Sequence, residues 1–264
     1  MGGPGLTRRR LDTELVRRGL LASRTAARRA IEESRVRVAG VAEPRAASLV
    51  APSAAITIAQ AERNWAGRGG EKLAAGLTAF AIDPAGRRCL DIGASTGGFT
   101  DVLLTGGAAS VTALDVGYGQ LVWRLRQDPR VEVVDRTNFR HVDLAALGAP
   151  FDVVVVDVSF ISVALLAGQL AAAGGPDADY VVLVKPQFEV GKGQVGKGGI
   201  VSDPALHRAT IERVVAALDA VGVGARGVIE SPIHGAKGNT EFLLHLKPGP
   251  AVDLSARLSE VIAP

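Results

Sequence analysis

From residue 87 onward, short apolar runs alternate with stretches in which apolar residues recur every three or four positions. The runs "RCLDIG" (88–93), "SVTALDV" (110–116), "VEVV" (131–134), "FDVVVVD" (151–157), "YVVLV" (180–184), "ARGVIE" (225–230) and "EFLLHLK" (241–247) read as strands, and helices are predicted to start near Gly98, Gln120, Val142, Ser162 and Pro204. Strands that are apolar throughout, with helices between them, predict an α/β fold: a mostly parallel, seven-stranded sheet covered on both faces, with a hairpin-like return at its end. The first 60 residues keep a different rhythm. Leu11, Leu15 and Val16 share one helical stripe that Gly19 would end. Ser23 can cap a second helix, with Ala27, Ala30 and Ile31 inside and Arg24, Arg28 and Arg29 outside. "RVRV" (35–38) and "AITI" (55–58) alternate like strands. Between the two regions, "AERNWAGRGGEK" (61–72) combines glycines, which permit a bend, with Trp65, a large apolar anchor, as in a docked linker. The expected organisation is a small α+β domain over 1–60, a linker over 61–71 and an α/β domain over 72–264.

Charge sharpens that division. Residues 1–60 hold 11 arginines, no lysine and 5 acidic side chains, a net +6, whereas residues 61–264 hold 19 basic against 22 acidic side chains, a net −3. Clustered arginines at this density are the footprint expected for a phosphate backbone. Cys89, the single cysteine, excludes an intrachain disulfide, and its place before an apolar strand points to core packing. The four histidines (His141, His207, His234, His245) are too scattered to suggest a metal site, so no metal is expected. No apolar run approaches the roughly 20 residues that cross a bilayer, and the arginine-rich start lacks the apolar segment of a signal peptide. A soluble, cytoplasmic, monomeric protein without a membrane partner is expected.

The chemistry centres on "LDIGASTGGFT" (90–100), the end of one predicted strand and the opening of its helix. In open α/β sheets ligands bind beyond the carboxyl ends of the strands, at the switch point in strand order. Dinucleotide turns prefer G-x-G-x-x-G, but this one reads Asp91-x-Gly93-x-x-x-Gly97-Gly98. An acidic residue two before the first glycine suits a cationic amino-acid ligand better than a diphosphate. Asp115 ends the next strand, where a carboxylate can accept ribose hydroxyls, and Asp135 ends the third, near an adenine edge. Together with Ser95 and Phe99 in the turn, these positions resemble the S-adenosylmethionine site of class I methyltransferases.

Two other patterns compete. Gly93-Ala94-Ser95-Thr96-Gly97 satisfies G-x-S-x-G, with Asp157 and His234 following in hydrolase order, but no loop that could donate to an oxyanion precedes residue 91. "GKGQVGKG" (191–198) nearly spells a phosphate loop, yet Gly198 stands where Ser or Thr would hold magnesium, which leaves a glycine-rich flap beside the site. Polar residues also bound the buried strands: Asp157 closes "FDVVVVD", Lys185 closes "YVVLVK" and Glu241 opens "EFLLHL". A lysine directly after five apolar residues is expected to lose solvation, as a general base requires.

Three resemblances extend this reading. "RLDTELVRRGLLASRTAARRAIEESRVRVAG" resembles an S4 RNA-binding domain, over about residues 6–60, with Ser34 where that family usually has glycine and "EPRAASLV" only loosely following its next segment. It implies RNA contacts at Arg8, Arg17, Arg18, Arg24 and Arg28, joined by Arg68 in the linker. Lys72, Asp157, Lys185 and Glu241 resemble the Lys-Asp-Lys-Glu tetrad of FtsJ-like RNA 2′-O-methyltransferases. "RNWAGRGGEKL", "DIGASTGGFTDVLL", "DVGYGQL", "VVDVSFIS", "LVKPQFEVGKGQVGKGGIVSD" and "SPIHGAKGNTEFL" are similar to the TlyA family, which joins an S4 domain to that catalytic fold. Where the family usually has Arg-Ala-Trp-Val, a segment implicated in coupling the domains, this chain has Arg63-Asn64-Trp65-Ala66. The resemblance implies S-adenosylmethionine-dependent 2′-O-methylation of cytidines in ribosomal RNA, on 16S or 23S, with sensitivity to capreomycin and viomycin as a consequence. It also carries the label hemolysin, for which the chain shows no amphipathic pore-forming segment. A non-catalytic RNA-binding assembly factor and a serine hydrolase using Ser95 are the alternatives.

Overall fold

A computed structural model describes residues 8–21, 23–32, 35–42, 45–58, 65–191 and 193–262. Ser34, Arg63, Asn64 and Lys192, singled out above, lie outside the described residues. The chain divides into two compact units, Met1–Asn64 and Trp65–Pro264.

In the first unit β1 (Arg9–Arg10), α1 (Leu11–Arg17), α2 (Arg24–Glu32), β2 (Val36–Val38), β3 (Val41–Ala42), β4 (Leu49–Val50) and β5 (Ile56–Ile58) follow in order. Strand β2 pairs antiparallel with β3 and β5, and β1 pairs with β4. The helical stripes bury as their spacing predicts: Leu11, Leu15, Ala27, Ala30 and Ile31 form the core with Val36 and Val50. Gly19 ends the first helix at φ +68, and the Ser23 hydroxyl accepts Ala26 N–H at 3.2 Å. Apolar periodicity says nothing about Asp12 and Glu14, which are fully buried on α1. Asp12 takes guanidinium contacts from Arg10 (3.1 Å), Arg24 (3.0 Å) and Arg28 (3.5 Å), and Glu14 takes them from Arg17 and Arg18. The Arg10 guanidinium, with Arg24, holds the Asp12 carboxyl well below the usual carboxylate range, and Arg17 with Arg18 holds Glu14 at about 2. Arg18 also donates to the carbonyls of Ala51, Pro52 and Ala54, so this arginine, read above as an RNA contact, fastens the β4–β5 connection instead.

The second unit runs α3 (Gly69–Ala79), β6 (Arg88–Ile92), α4 (Gly98–Thr105), β7 (Ser110–Leu114), α5 (Trp123–Arg126), β8 (Val131–Val134), β9 (Phe151–Val156), α6 (Ala167–Ala173), β10 (Gly174–Val184), α7 (Pro186–Glu189), α8 (Pro204–Asp219), β11 (Val223–Glu230), β12 (Phe242–Pro248) and α9 (Ser255–Val261). The sheet order is β11-β12-β10-β9-β6-β7-β8. Neighbours are parallel except where β12 runs antiparallel between β10 and β11. Val153, Val155, Val181 and Leu183 pack into one core and Val154, Val156, Val182 and Val184 into the other, which is why these strands are apolar throughout. Cys89 belongs to the first of these cores, and burial pushes its thiol up to about 12.

Two expectations fail locally. No helix starts at Val142: Phe139–His141 is a 3-10 turn, Asp143 accepts Ala145 N–H, and Gly148 (φ +78) with Pro150 stops the chain before a helix can grow. The glycines of "GRGGEK" serve contact rather than bending. A Cβ on Gly98 would lie 2.8 Å from Gly70 N, and one on Gly70 would lie 2.2 Å from the Trp65 ring, so α3 and α4 begin almost in backbone contact. Ala66 N–H donates to Asp101 on α4, which fixes this start.

Candidate active site

Strand β6 lies between β7 and β9, so the chain departs to one side of it and returns on the other; its carboxyl end is the switch point where ligands bind in such sheets. The turn that follows is left-handed at Gly93 (φ +87), Ser95 (φ +48) and Gly97 (φ +100). A Cβ on Gly93 would stand 2.4 Å from the carbonyl oxygen of Asp157, so only glycine lets the turn lie against the end of β9. Above it opens a cavity of about 510 Å³, walled by Gly93, Ser95, Asp115, Asp157 and Phe160 among others. That is a usual size for a cofactor pocket. A smaller space of about 100 Å³ lies between the turn, Gly98, Phe99 and the start of α3.

Asp115 reaches the cavity with its orientation fixed, since it accepts Ser95 N–H (2.8 Å) and Gly117 N–H (2.6 Å). Asp135 does not reach it. Its carboxylate is drawn into an ion pair with Arg126 and accepts Gly119 N–H, and Asn138 and Phe139 form the wall there. Gly97 is also diverted: its Cα faces Leu121 and Leu125, so its glycine serves packing of the turn on α5. Ser95 donates its hydroxyl to Gln120, and Asp157 is engaged with Lys185, which takes apart the hydrolase arrangement.

Behind the turn Asp91 is fully buried and, like Asp135, lines neither cavity. One oxygen accepts the Thr100 hydroxyl at 2.6 Å, and the other, Oδ1, has no hydrogen-bond partner among the described residues. Burial pushes this carboxyl up to about 7, against the Thr100 bond and with help from Asp157 and Asp115. A buried acid with an unengaged oxygen, a carboxylate at the end of β7 and glycines that admit backbone-close contact together fit a cationic amino-acid nucleoside such as S-adenosylmethionine. Because the folded pKa lies above the unfolded value, the stability linked to Asp91 is complete below about pH 4 and is lost as pH rises through about 7. Melting of the cofactor-free protein across pH 4–8 is therefore expected to fall more steeply for wild type than for Asp91→Asn, and parallel curves would show that Asp91 does not titrate there. Affinity for the cofactor is expected to rise with pH in wild type and to stay flat, and weaker, in the variant.

The four tetrad positions assemble as two ion pairs. Lys185 Nζ lies 2.6 Å from Asp157 Oδ1 and donates to Ser159 Oγ at 2.9 Å, while Lys72 is bonded to Glu241 in a nearly fully buried pair. Lys185 is thus not an isolated lysine in an apolar setting; it is held by two acceptors. Helix α3 links the pairs: Lys72 lies one turn beyond Gly69, where a Cβ would be 3.5 Å from Asp157 Oδ2. Gly235 is pressed against Glu241, and Arg68 donates to the carbonyl of His234 in the same loop. The flap over 193–201 is clipped to that loop by Asn239, which accepts Val201 N–H and donates to Gly199 O.

Comparison with known proteins decides the family. The FtsJ-like methyltransferase model matches residues 65–248 and the S4 domain model residues 9–42. The 16S/23S rRNA (cytidine-2′-O)-methyltransferase TlyA of Mycobacterium tuberculosis is 50% identical over 251 residues, covering 95% of this chain and 94% of that one. The chain belongs to the TlyA family. Hemolysin A of Brachyspira hyodysenteriae is 38% identical over 89% of this TlyA-family chain and 98% of its own. A Streptococcus thermophilus structure that carries the name hemolysin superposes with a TM-score of 0.74 at 36% identity, covering 98% of this chain and 96% of that one. No helix among the described residues is long and apolar enough to cross a membrane. The sequence reading of this TlyA-family site missed Gln120, Asn138, Phe139, Ser159 and Phe160. Of these only Phe160 left a signal, as a large aromatic three residues beyond the strand-ending Asp157.

Proposed function

We propose that this protein transfers the methyl group of S-adenosylmethionine to the ribose 2′-hydroxyl of cytidines in ribosomal RNA. The observation that carries the reading is the meeting of the Lys185–Asp157 pair with the glycine-turn cavity at the switch point, in a chain of the TlyA family. The turn at Gly93–Gly98, Asp91 and Asp115 would hold the cofactor, which when bound supplies an electrophilic methyl group on a sulfonium. Lys185 carries three N–H donors, of which Asp157 and Ser159 take two, so the third direction is left for the sugar hydroxyl. The hydroxyl proton would pass to the Asp157 carboxylate of this pair, since a lysine with three N–H donors has no lone pair to take it. Lys72 and Glu241, buried against each other, keep α3 and the 235–241 loop at a fixed spacing around the nucleotide. Phe160, 90% exposed at the cavity mouth, offers a face on which a base can stack.

RNA binding by the first unit is supported by the match to the S4 domain and by the exposed guanidiniums of Arg17, Arg24 and Arg28. The test is methyl transfer from labelled S-adenosylmethionine to unmodified ribosomal subunits, with the product digested to nucleosides. Label is expected in 2′-O-methylcytidine. Label on a base would keep the cofactor site and overturn the ribose chemistry, and cofactor binding without transfer to any ribosomal precursor would favour an assembly factor.

A further inference from the structure

One buried carboxylate beside the site has no part in the chemistry above. Glu189 ends α7, four residues after Lys185, and its side chain is 1% exposed. Its Oε1 accepts Val163 N–H at 2.7 Å and its Oε2 accepts the Ser162 hydroxyl at 2.6 Å. Both partners lie on the segment that leaves β9 and carries Asp157, Ser159 and Phe160. The segments leaving β9 and β10 are therefore joined at three levels. Lys185 meets Asp157 and Ser159 next to the strands, the rings of Phe160 and Phe188 lie 4.9 Å apart, and Glu189 grips Ser162 and Val163 at the outer end. Arg213 of α8 backs that outer end, bonding the carbonyl of Glu189 and standing 3.5 Å from its Oε2.

The middle of this ladder is under strain. Phe160 is left-handed (φ +66), a conformation a bulky side chain keeps only when its surroundings over-determine it. Exposure on one side means that the fixing must come from the chain on either side: Asp157 before it, Ser162 and Val163 after it. A simpler role for Glu189, capping the 3-10 turn Val163–Leu166, is already filled, because the Ser162 hydroxyl accepts Ala164 N–H at 3.2 Å.

We infer that Glu189 is a positioning residue for methyl transfer, splinting the Asp157–Val163 segment to the Lys185–Glu189 segment so that Ser159 and Phe160 are presented to the target nucleotide. The inference rests on the ribose-methylation reading. It is tested with the full chain on unmodified ribosomal subunits, comparing wild type, Glu189→Ala and Glu189→Gln for turnover, KM for the subunit, cofactor affinity and hydrogen exchange at the Val163 amide. Misplacement of reacting groups by about 1 Å costs on the order of 10²-fold, which is the loss expected in kcat for the alanine variant. KM and cofactor affinity are expected to stay within about threefold, in line with a loss of orientation rather than of uniform binding. Exchange at Val163 should rise in the alanine variant. Glutamine keeps an acceptor for Val163 N–H and should restore about tenfold of that loss, leaving turnover roughly tenfold below wild type. If the alanine variant does not fold, the glutamine variant decides alone, its expected loss of turnover being set against unchanged cofactor affinity. Wild-type turnover in a folded variant overturns the inference, as does a loss of cofactor affinity equal to the loss of turnover, which would make Glu189 a general stabiliser. Wild type that labels no ribose overturns the functional reading itself, and the inference with it.

Discussion

Replacing Lys185 with alanine is expected to lower turnover for ribose methylation by about 10²- to 10⁴-fold, the usual contribution of a positioned acid or base, while cofactor affinity stays within about threefold. Lys185 touches Asp157 and Ser159, both of which line the cavity, so on the ribose-methylation reading its loss removes a donor from the sugar without opening the glycine turn. Asp157→Asn should fall nearly as far, and the double variant should be no slower than the slower single one, because the two act as one unit. Steady-state kinetics on ribosomal subunits, with cofactor binding by calorimetry, checks all three; additive losses would mean separate roles. Lys72→Ala should behave differently. It leaves Glu241 buried without its partner, and breaking a buried pair costs about 3–5 kcal/mol, so its first effect is on the melting temperature.

Gly93→Ala is expected to be strongly damaging. The added Cβ meets the backbone of Asp157 at 2.4 Å, and backbone at the end of a central strand cannot swing aside as a side-chain tip would. The left-handed φ of +87 adds about 1–2 kcal/mol of its own. Gly222→Ala separates the two costs, since Gly222 has φ +83 and nothing within 4 Å of its would-be Cβ. Gly222→Ala should lower the melting temperature by a few degrees, roughly 2–4 °C per kcal/mol for a chain of this length, and leave cofactor affinity intact. Gly93→Ala should lower it further and weaken cofactor binding by more than about tenfold. Equal melting curves and equal affinities for the two variants would show that the turn has room that the geometry denies.

The central strands were legible because burial on both faces leaves an unbroken apolar run, as at Val153–Val156 and Val181–Val184. The first five residues of β10, Gly174–Ala178, were not, since glycine, proline and aspartate do not announce a strand; Gly174 pairs with Phe151 through tertiary contact alone. Helices α7 and α9 are too short to show a period. Asp157, Lys185 and Glu241 were readable as polar residues that bound buried runs and Lys72 only through the family resemblance, but the division into two pairs was not readable, because Lys72 and Glu241 lie 169 residues apart. Asp135 failed for a related reason: its partner Arg126 is only nine residues away, but nothing in the strand pattern says that the pair will form. Arg18 looked like surface charge and is bonded inward, and Glu189 was silent because its meaning lies in Ser162 and Val163.

The two buried acids of the first unit change what its arginines offer to RNA. Asp12 and Glu14 grip five guanidiniums, of which those of Arg10, Arg17, Arg24 and Arg28 remain 44–55% exposed. A free arginine gives up about 2 kcal/mol of rotamer entropy when it is fixed on a phosphate. Here folding has already restricted those rotamers, so guanidiniums used on a phosphate backbone would meet it preorganised. The carboxylates cancel part of the positive field, so RNA binding through this face is expected to displace fewer counterions than 11 arginines would suggest and to lean less on low salt. Asp12→Asn would make the face more positive and its arginines less well aimed. Such a surface sacrifices general attraction to polyanions for a fixed template, which suits a protein that must pick one folded RNA from the many in a cell.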